Sequence, residues 1–172
     1  DSKGRVYTVT AGDLPPARGD GAPASSLVDV QDGARIMHAL AGKADLPVMV
    51  ASSGGYGFLC KLGDMTSNRK AGREFMTIEA SEVPLAPVVY AESSAKMVAA
   101  LSAMGRLLVF DVAEMRSVAR GRGVIIMGLD PGETMLAVTL LPGRSVKVLG
   151  TGRAGKERTV DLSGEKFDHY VG

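Results

Sequence analysis

The apolar positions of the chain fall in short runs that are rich in β-branched residues. The clearest runs occupy residues 48–50, 88–90, 107–110, 124–127 and 146–149, and Gly, Pro, Ser or Asp bounds each of them within a few residues. Such runs are typical of β-strands, whereas an amphipathic helix would show an apolar stripe with a period of 3.6 over a dozen residues. The best helical candidate, residues 111–119, predicts one or two turns before Gly121. We therefore expect an all-β fold.

A pattern of glycine, strand and acidic residue recurs along the chain. Segments 4–14, 55–65 and 105–115 align with one another, and a weaker copy begins at Gly155, so that the starts are 51, 50 and 50 residues apart. A period of this length is typical of solenoids, propellers and related arrays. About four strands in each repeat predicts a propeller-like blade, and the chain is long enough for about three to four blades.

Each repeat is expected to contain a β-hairpin. The predicted first strands are 46–51, 96–101 and 134–140, and the turns that follow them are 52–55, 102–105 and 142–143. After the basic loops, return strands are predicted at 75–78 and 124–127. Alternation along the strands predicts which side chains are buried between blades. The candidates are Met49, Leu59, Val98, Leu108, Ile125, Leu136 and Val138.

Composition indicates a folded chain that is rich in turns. Of 172 residues 22 are glycine and 8 are proline, while 45% are hydrophobic, which argues against both disorder and a coiled coil. The net charge of +1 excludes binding to DNA or membranes by bulk charge and leaves local basic patches open. The single cysteine permits no internal disulfide, and no apolar run approaches the ~20 residues of a membrane helix. We expect a soluble intracellular domain.

Motifs for catalysis are weak. Residues 150–157 nearly match a phosphate-binding P-loop, but Glu157 stands where that motif needs Ser or Thr, so a hairpin turn is the better interpretation. The two histidines, His38 and His169, together with Cys60 are too few and too widely spaced for a zinc site. No Gly-x-Ser-x-Gly sequence is present. We expect no catalytic residue, no metal and no cofactor in this domain.

Basic loops that contain glycine recur at the same phase of the repeat, at residues 17–21, 68–73 and 119–123. Because an array places equivalent loops along one edge, their cations are expected to form a stripe. The stripe consists of Arg18, Arg69, Lys70, Arg73, Arg120 and Arg122. It fits the DNA backbone, which proteins contact by position and charge. It equally fits an acidic partner of a protein-binding propeller, and the residues alone leave both possibilities open.

The same segments resemble a known family. The sequences GRVYTV…DLPPARG, ASSGGYGFLCKLGDM…NRKAG and MGRLLVFDVAEM…ARGRG are similar to the C-terminal domain of bacterial type IIA topoisomerase A subunits, above all of the topoisomerase IV kind. The resemblance implies a β-pinwheel, in which four-stranded antiparallel blades exchange strands with their neighbours. It also implies a single domain over residues 1–172, whose basic outer edge binds and bends duplex DNA through the six cations of the stripe.

Further expectations follow from the resemblance. The parent enzyme would be an ATP-dependent isomerase for decatenation, relaxation of supercoils and chromosome segregation, with ATP, Mg²⁺ and the DNA-cleaving tyrosine in other regions. Its implied partners are duplex DNA, the B subunit of topoisomerase IV, and a second copy of the A subunit. The implied location is the cytoplasm, with the nucleoid or at the inner face of the membrane. The wrapping domain of gyrase A subunits is the alternative, although none of the three loops spells its Gln-Arg-Arg-Gly-Gly-Lys-Gly box and the nearest is 119–123.

Overall fold

The computed structural model describes residues 1–16, 18–91, 93–152 and 154–172. The strands are β1 (Arg5–Val6), β2 (Pro47–Ala51), β3 (Tyr56–Lys61), β4 (Arg73–Glu74), β5 (Val88–Val89), β6 (Met97–Ser102), β7 (Leu107–Asp111), β8 (Val124–Ile125), β9 (Met135–Leu141), β10 (Ser145–Thr151) and β11 (Glu157–Ser163). Helix in these ranges consists of the single turn α1 (Glu165–Asp168) and of 3-10 turns at Ala11–Asp13, Ala24–Ser26, Leu62–Met65 and Val112–Glu114. The all-β prediction is confirmed, and the helical candidate at 111–119 forms one short turn.

The strands of the described ranges form four antiparallel sheets. Their strand orders are β1–β4, β5–β2–β3–β8, β7–β6–β9 and β10–β11. Two strands belong to the sheet of the preceding repeat, since β4 pairs with β1 and β8 pairs with β3. Arg5 lies opposite Glu74 and Tyr56 lies opposite Ile125, so both exchanged strands come from 69 residues further along the chain. Backbone hydrogen bonds thereby connect consecutive repeats.

A left-handed glycine marks the start of each repeat. The φ angles are 78°, 83°, 80° and 70° at Gly4, Gly55, Gly105 and Gly155. At Gly55 the chain of the next repeat also approaches closely, because the Gly55 carbonyl accepts hydrogen bonds from the amides of Ile126 and Met127. A Cβ added to Gly55 would lie 2.4 Å from the Met127 carbonyl oxygen. Glycine is required at this position because it adopts the left-handed φ angle without strain and has no Cβ that would collide with the next repeat.

The apolar core lies between consecutive sheets and covers both faces of the central strands. In β2, Val48 and Val50 belong to a cluster with Phe75, whereas Met49 and Ala51 belong to a second cluster with residues of β6. The remaining face of β6 packs in a third cluster with residues of β7, β9, β11 and α1. A strand that is buried on both faces has a continuous apolar run instead of alternation, which is the pattern of β2 and β6.

Burial confirms most of the predicted core residues and contradicts two of them. Met49, Val98 and Val138 are buried, and Leu59 and Leu108 are partly buried against the same cluster.

The two wrong predictions have local causes. Ile125 is 62% exposed, because alternation along the exchanged strand turns Val124 and Ile126 toward the core instead. Leu136 is 58% exposed, because β9 shifts register at this point and Leu136 has no partner between Met135 and Ala137.

The predicted hairpin around residues 142–143 is also wrong. β9 pairs with β6, whose other edge is occupied by β7, and within the described residues β10 pairs with β11 alone. The return strand predicted at 75–78 is misplaced, because the strand of this repeat is β4 (Arg73–Glu74), and the one predicted at 124–127 is shortened to β8 (Val124–Ile125). In both places two successive amides, such as those of Phe75 and Met76, donate to one glycine carbonyl, and the regular ladder ends there.

Candidate nucleic-acid interface

Two of the three basic loops lead into an exchanged strand. Residues 68–73 run into β4, and residues 119–123 run into β8. Gly72 and Gly123 have left-handed φ angles of 62° and 83°. A Cβ at these positions would lie 2.3 Å from a carbonyl oxygen of β1 and 2.1 Å from one of β3, respectively. The sheet of the preceding repeat therefore fixes the backbone of each loop.

The loops also follow one another in repeat order. The Gly121 amide donates to the Phe75 carbonyl at 2.8 Å, and the Gly121 carbonyl accepts from the Thr77 amide at 3.0 Å. The third-repeat loop consequently lies against the chain that leaves β4. In the second-repeat loop, the Lys70 carbonyl accepts from the Asp29 amide of the first repeat at 2.9 Å. The loops at 68–73 and 119–123 are thus each anchored on the repeat before them.

Four of the six predicted cations are exposed, and their side chains form no ion pair or hydrogen bond in the part of the chain that the structure describes. They are Arg18, Arg69, Lys70 and Arg120. The three arginines are 51 residues apart, and each precedes a left-handed glycine by three residues, at Gly21, Gly72 and Gly123. The chain thus carries one exposed, unpaired arginine at the same sequence position of three consecutive repeats. We call this set the arginine series.

Arg73 differs from the arginine series, because its guanidinium binds backbone carbonyls. Its Nε donates to the Thr66 carbonyl at 2.8 Å, and one terminal nitrogen donates to the Asp64 carbonyl. The guanidinium carbon lies 5.6 Å from the centre of the Phe75 ring. Arg73 therefore closes the loop at 68–73 and offers few free donors to a ligand.

Arg122 is bound to two carboxylates. A terminal nitrogen lies 2.7 Å from Glu82 Oε1 and 3.6 Å from Glu79 Oε1, and the guanidinium stacks 4.1 Å from the centre of the Tyr56 ring. Desolvation lowers the pKa of Arg122, but the hydrogen bond and charge of Glu82 outweigh it, with smaller contributions from Tyr56 and Glu79, so that the pKa lies above its ordinary value. The positive charge of Arg122 is therefore balanced by carboxylates of the protein.

One exposed cation near the loops was missed by the sequence interpretation. Arg116 lies on the segment that runs from the 3-10 turn to Arg120, and its carbonyl accepts from the Leu59 amide of β3 at 2.9 Å. The sequence signal for this residue was its position four residues before Arg120, close to the third basic loop. Because Thr66 and Ser67 occupy the corresponding stretch of the second repeat, repetition did not single it out.

The other sequence candidates add no site within the described ranges. The P-loop-like segment is a hairpin turn, since Thr151 pairs with Glu157 and the Gly152 amide donates to the Lys156 carbonyl at 2.8 Å; its Arg153 lies outside the described residues. No group of three or more His, Cys, Asp or Glu side chains there could hold a metal ion. Among the described residues there is also no helix with the length and apolarity to cross a membrane.

Solved structures identify the class of fold. The structure of the E. coli ParC C-terminal domain aligns with a TM-score of 0.88 and 28% identity, over 99% of this chain and 70% of that one. A DNA gyrase A C-terminal domain aligns with a TM-score of 0.68 and 17% identity, over 94% and 52% of the two chains, which shows a shared fold. The chain is a β-pinwheel of the kind found in these C-terminal domains.

Sequence comparison shows which of these protein families the chain is related to. The A subunit of DNA topoisomerase 4 from Neisseria gonorrhoeae is 40% identical over 158 residues, which are 89% of this chain and 20% of that protein. The chain is homologous, over its whole length, to the C-terminal region of the A subunit of DNA topoisomerase 4. It spans about a fifth of the length of the curated relatives it matches. No protein-family model matches the chain.

Proposed function

We propose that residues 1–172 act as one domain that binds and bends duplex DNA for the A subunit of a topoisomerase IV. The observation that carries the proposal is the arginine series, in which Arg18, Arg69 and Arg120 are exposed and unpaired at one position of three consecutive repeats. The homology to topoisomerase 4 A subunits supports it.

The proposed ligand surface suits a phosphate backbone. The free cations neutralise phosphates and release counterions, which favours binding without a preference for base sequence. A glycine three residues after each arginine, and directly after Arg18 and Arg120, allows the DNA to approach the loop backbone closely. Because the loops follow one another in repeat order, a duplex that contacts all of them has to follow the succession of blades, and this favours bending.

In the parent enzyme, the domain would hold a DNA segment for ATP-dependent double-strand passage, which serves decatenation, relaxation and chromosome segregation. The cleavage tyrosine, the ATP and Mg²⁺ sites and the contacts with the B subunit of the enzyme or with a second copy of the A subunit would belong to other regions. The cytoplasm, where the chromosome lies, is the proposed location. A position at the inner face of the membrane has no support from the described residues.

The salt dependence of DNA binding tests the proposal. With four free cations, the slope of log K against log salt for a random-sequence duplex should be about −3 to −4. Replacing Arg69 and Lys70 together with Ala should weaken binding and flatten the slope by about 0.9 for each phosphate contact that is lost. Fluorescence anisotropy over a range of salt concentrations measures both quantities.

The matched control removes the same charge elsewhere, at the exposed Arg35 and Lys43. These substitutions should leave the slope unchanged. Equal losses from the two double variants would assign binding to net charge, and would contradict the stripe. Absence of salt-dependent duplex binding by the intact domain would favour a protein-binding module.

The match to a gyrase A domain makes DNA wrapping the second candidate. A wrapping domain traps supercoils when a nicked plasmid is religated in its presence. We expect little supercoiling from this domain, because the loop at 119–123 lacks the residues of the gyrase box. Strong supercoiling of one sign would favour the gyrase-like function.

A further inference from the structure

Glu82 and Glu133 occupy equivalent turns, 51 residues apart, and both side chains are largely buried. Their side chains are 10% and 2% exposed. Each Oε2 accepts from an amide three residues earlier, that of Glu79 at 3.3 Å and that of Asp130 at 3.0 Å. The two turns therefore present the same buried acceptor to a cation.

The cation comes from a different place in each repeat. Glu133 is bound by Arg106, at 2.6 Å, from the hairpin turn of its own repeat. The position equivalent to Arg106 in the second repeat is Tyr56, which has no charge to offer. There Glu82 is bound by Arg122, which belongs to the basic loop of the next repeat.

The surroundings keep Arg122 in this position. Glu82 is held by the Ser52 hydroxyl at 3.1 Å, and the Arg122 guanidinium stacks on the Tyr56 ring. A DNA phosphate brought to Arg122 would meet the negative charges of Glu82 and Glu79 within a few ångströms, and like charges repel at this distance. Arg122 is thus poorly placed to contact DNA.

We propose that Arg122 is a positioning residue: its pair with Glu82 fixes the third-repeat loop on the second blade and thereby presents Arg120 to DNA. This rests on the proposed DNA-binding function and assigns to Arg122 a role different from the phosphate contact expected from the sequence. Arg122 acts through Arg120, two residues earlier on the same loop.

Glu82→Gln gives opposite results for the two roles. If Arg122 positions the loop, loss of the carboxylate charge loosens it, and affinity for duplex DNA falls although a negative charge has been removed. If Glu82 instead withholds Arg122 from a phosphate, the same variant releases the cation and affinity rises. A rise in affinity would overturn the proposal.

A double-mutant cycle gives the second readout. Arg120→Ala should lower affinity about fivefold near 0.15 M salt and flatten the salt slope by about 0.9, as expected for one phosphate contact. Arg122→Gln should lower it by no more than that, and should have no further effect in the Arg120→Ala background. Independent losses, with a second fall of about 0.9 in the slope, would show that Arg122 contacts a phosphate of its own.

Hydrogen exchange of the DNA-free domain tests the positioning separately from the function. The Gly121 amide, which donates to the Phe75 carbonyl at 2.8 Å, should exchange faster in Arg122→Gln and Glu82→Gln than in the unaltered protein. Arg106→Gln, which breaks the equivalent pair with Glu133, is the control and should leave both this amide and DNA affinity unchanged. Unaltered exchange at Gly121 in Arg122→Gln would overturn the inference, whereas failure of the intact domain to bind duplex DNA would overturn the proposed function.

Discussion

The thiol of Cys60 is buried between two sheets and donates to the Val48 carbonyl at 3.5 Å. Burial raises its pKa to about 12, and the negative charge of Asp64 adds to the shift. Because the thiolate is the reactive form, we expect the folded protein to resist alkylation by iodoacetamide at pH 8. Unfolding in guanidinium should restore the rate of an ordinary thiol. Mass spectrometry of timed samples measures this, and rapid alkylation of the folded chain would contradict the burial.

The carboxylate of Glu133 makes the stability of the fold depend on pH. The Ser102 hydroxyl, the Asp130 amide and the charge of Arg106 hold the pKa of Glu133 below its ordinary value, against the effect of desolvation. A carboxylate with a lowered pKa stabilises the fold above its unfolded-state pKa, and this contribution is lost as the pH falls through the folded value. Glu133 therefore favours the folded state at neutral pH and loses that effect in acid.

At the scale of single elements, two equivalent glycines allow a matched comparison. Gly55 and Gly105 have φ angles of 83° and 80°, but only Gly55 faces the chain of the next repeat, with the Met127 carbonyl oxygen 2.4 Å from an added Cβ. Gly105→Ala should cost about 1–2 kcal/mol, for the left-handed backbone alone. Gly55→Ala should cost about 3 kcal/mol or more, because the chain at Met127, just after β8, must also move. Urea unfolding measures both free energies, and equal losses would contradict the close approach.

The elements also show how far the sequence predicts this fold. Glycine spacing, β-branched runs and turn residues are local signals, and they were sufficient for the repeat and for the hairpins β2–β3 and β6–β7. The partner of β9 could not be predicted, because its apolar positions specify a buried face and leave open which edge of which strand it joins. The predicted hairpin with β10 failed for this reason.

The same limit applies to the candidate site. The 51-residue spacing of Arg18, Arg69 and Arg120 was visible in the sequence and indicated equivalent exposed positions. The pairing of Arg122 with Glu82 was not visible, because the two residues lie in different repeats and meet only after β8 has joined the second sheet. Strand exchange thereby removes Arg122 from the free cations, and no local sequence pattern records this.

At the scale of the whole molecule, burial is unequal along the array. Met49 lies fully buried between the second and third sheets, whereas Leu149, on the two-stranded sheet β10–β11, is 73% exposed. Met49→Ala should lower the free energy of unfolding by about 2–5 kcal/mol. Leu149→Ala should change it by less than about 0.5 kcal/mol. Thermal or urea unfolding checks both, and a large loss at Leu149 would contradict the exposure of this sheet.

The exchanged strands have a consequence for the timing of folding during synthesis. Tyr56 and its partner Ile125 are 69 residues apart, as are Arg5 and Glu74. At a translation rate of ~5–20 residues per second, β3 leaves the ribosome roughly 3 to 14 s before the strand that completes its edge. The hairpin β2–β3 is available early, with its outer backbone amides still bonded to water. A ribosome that pauses shortly after residue 100 would therefore prolong the period in which this edge can pair with the wrong strand.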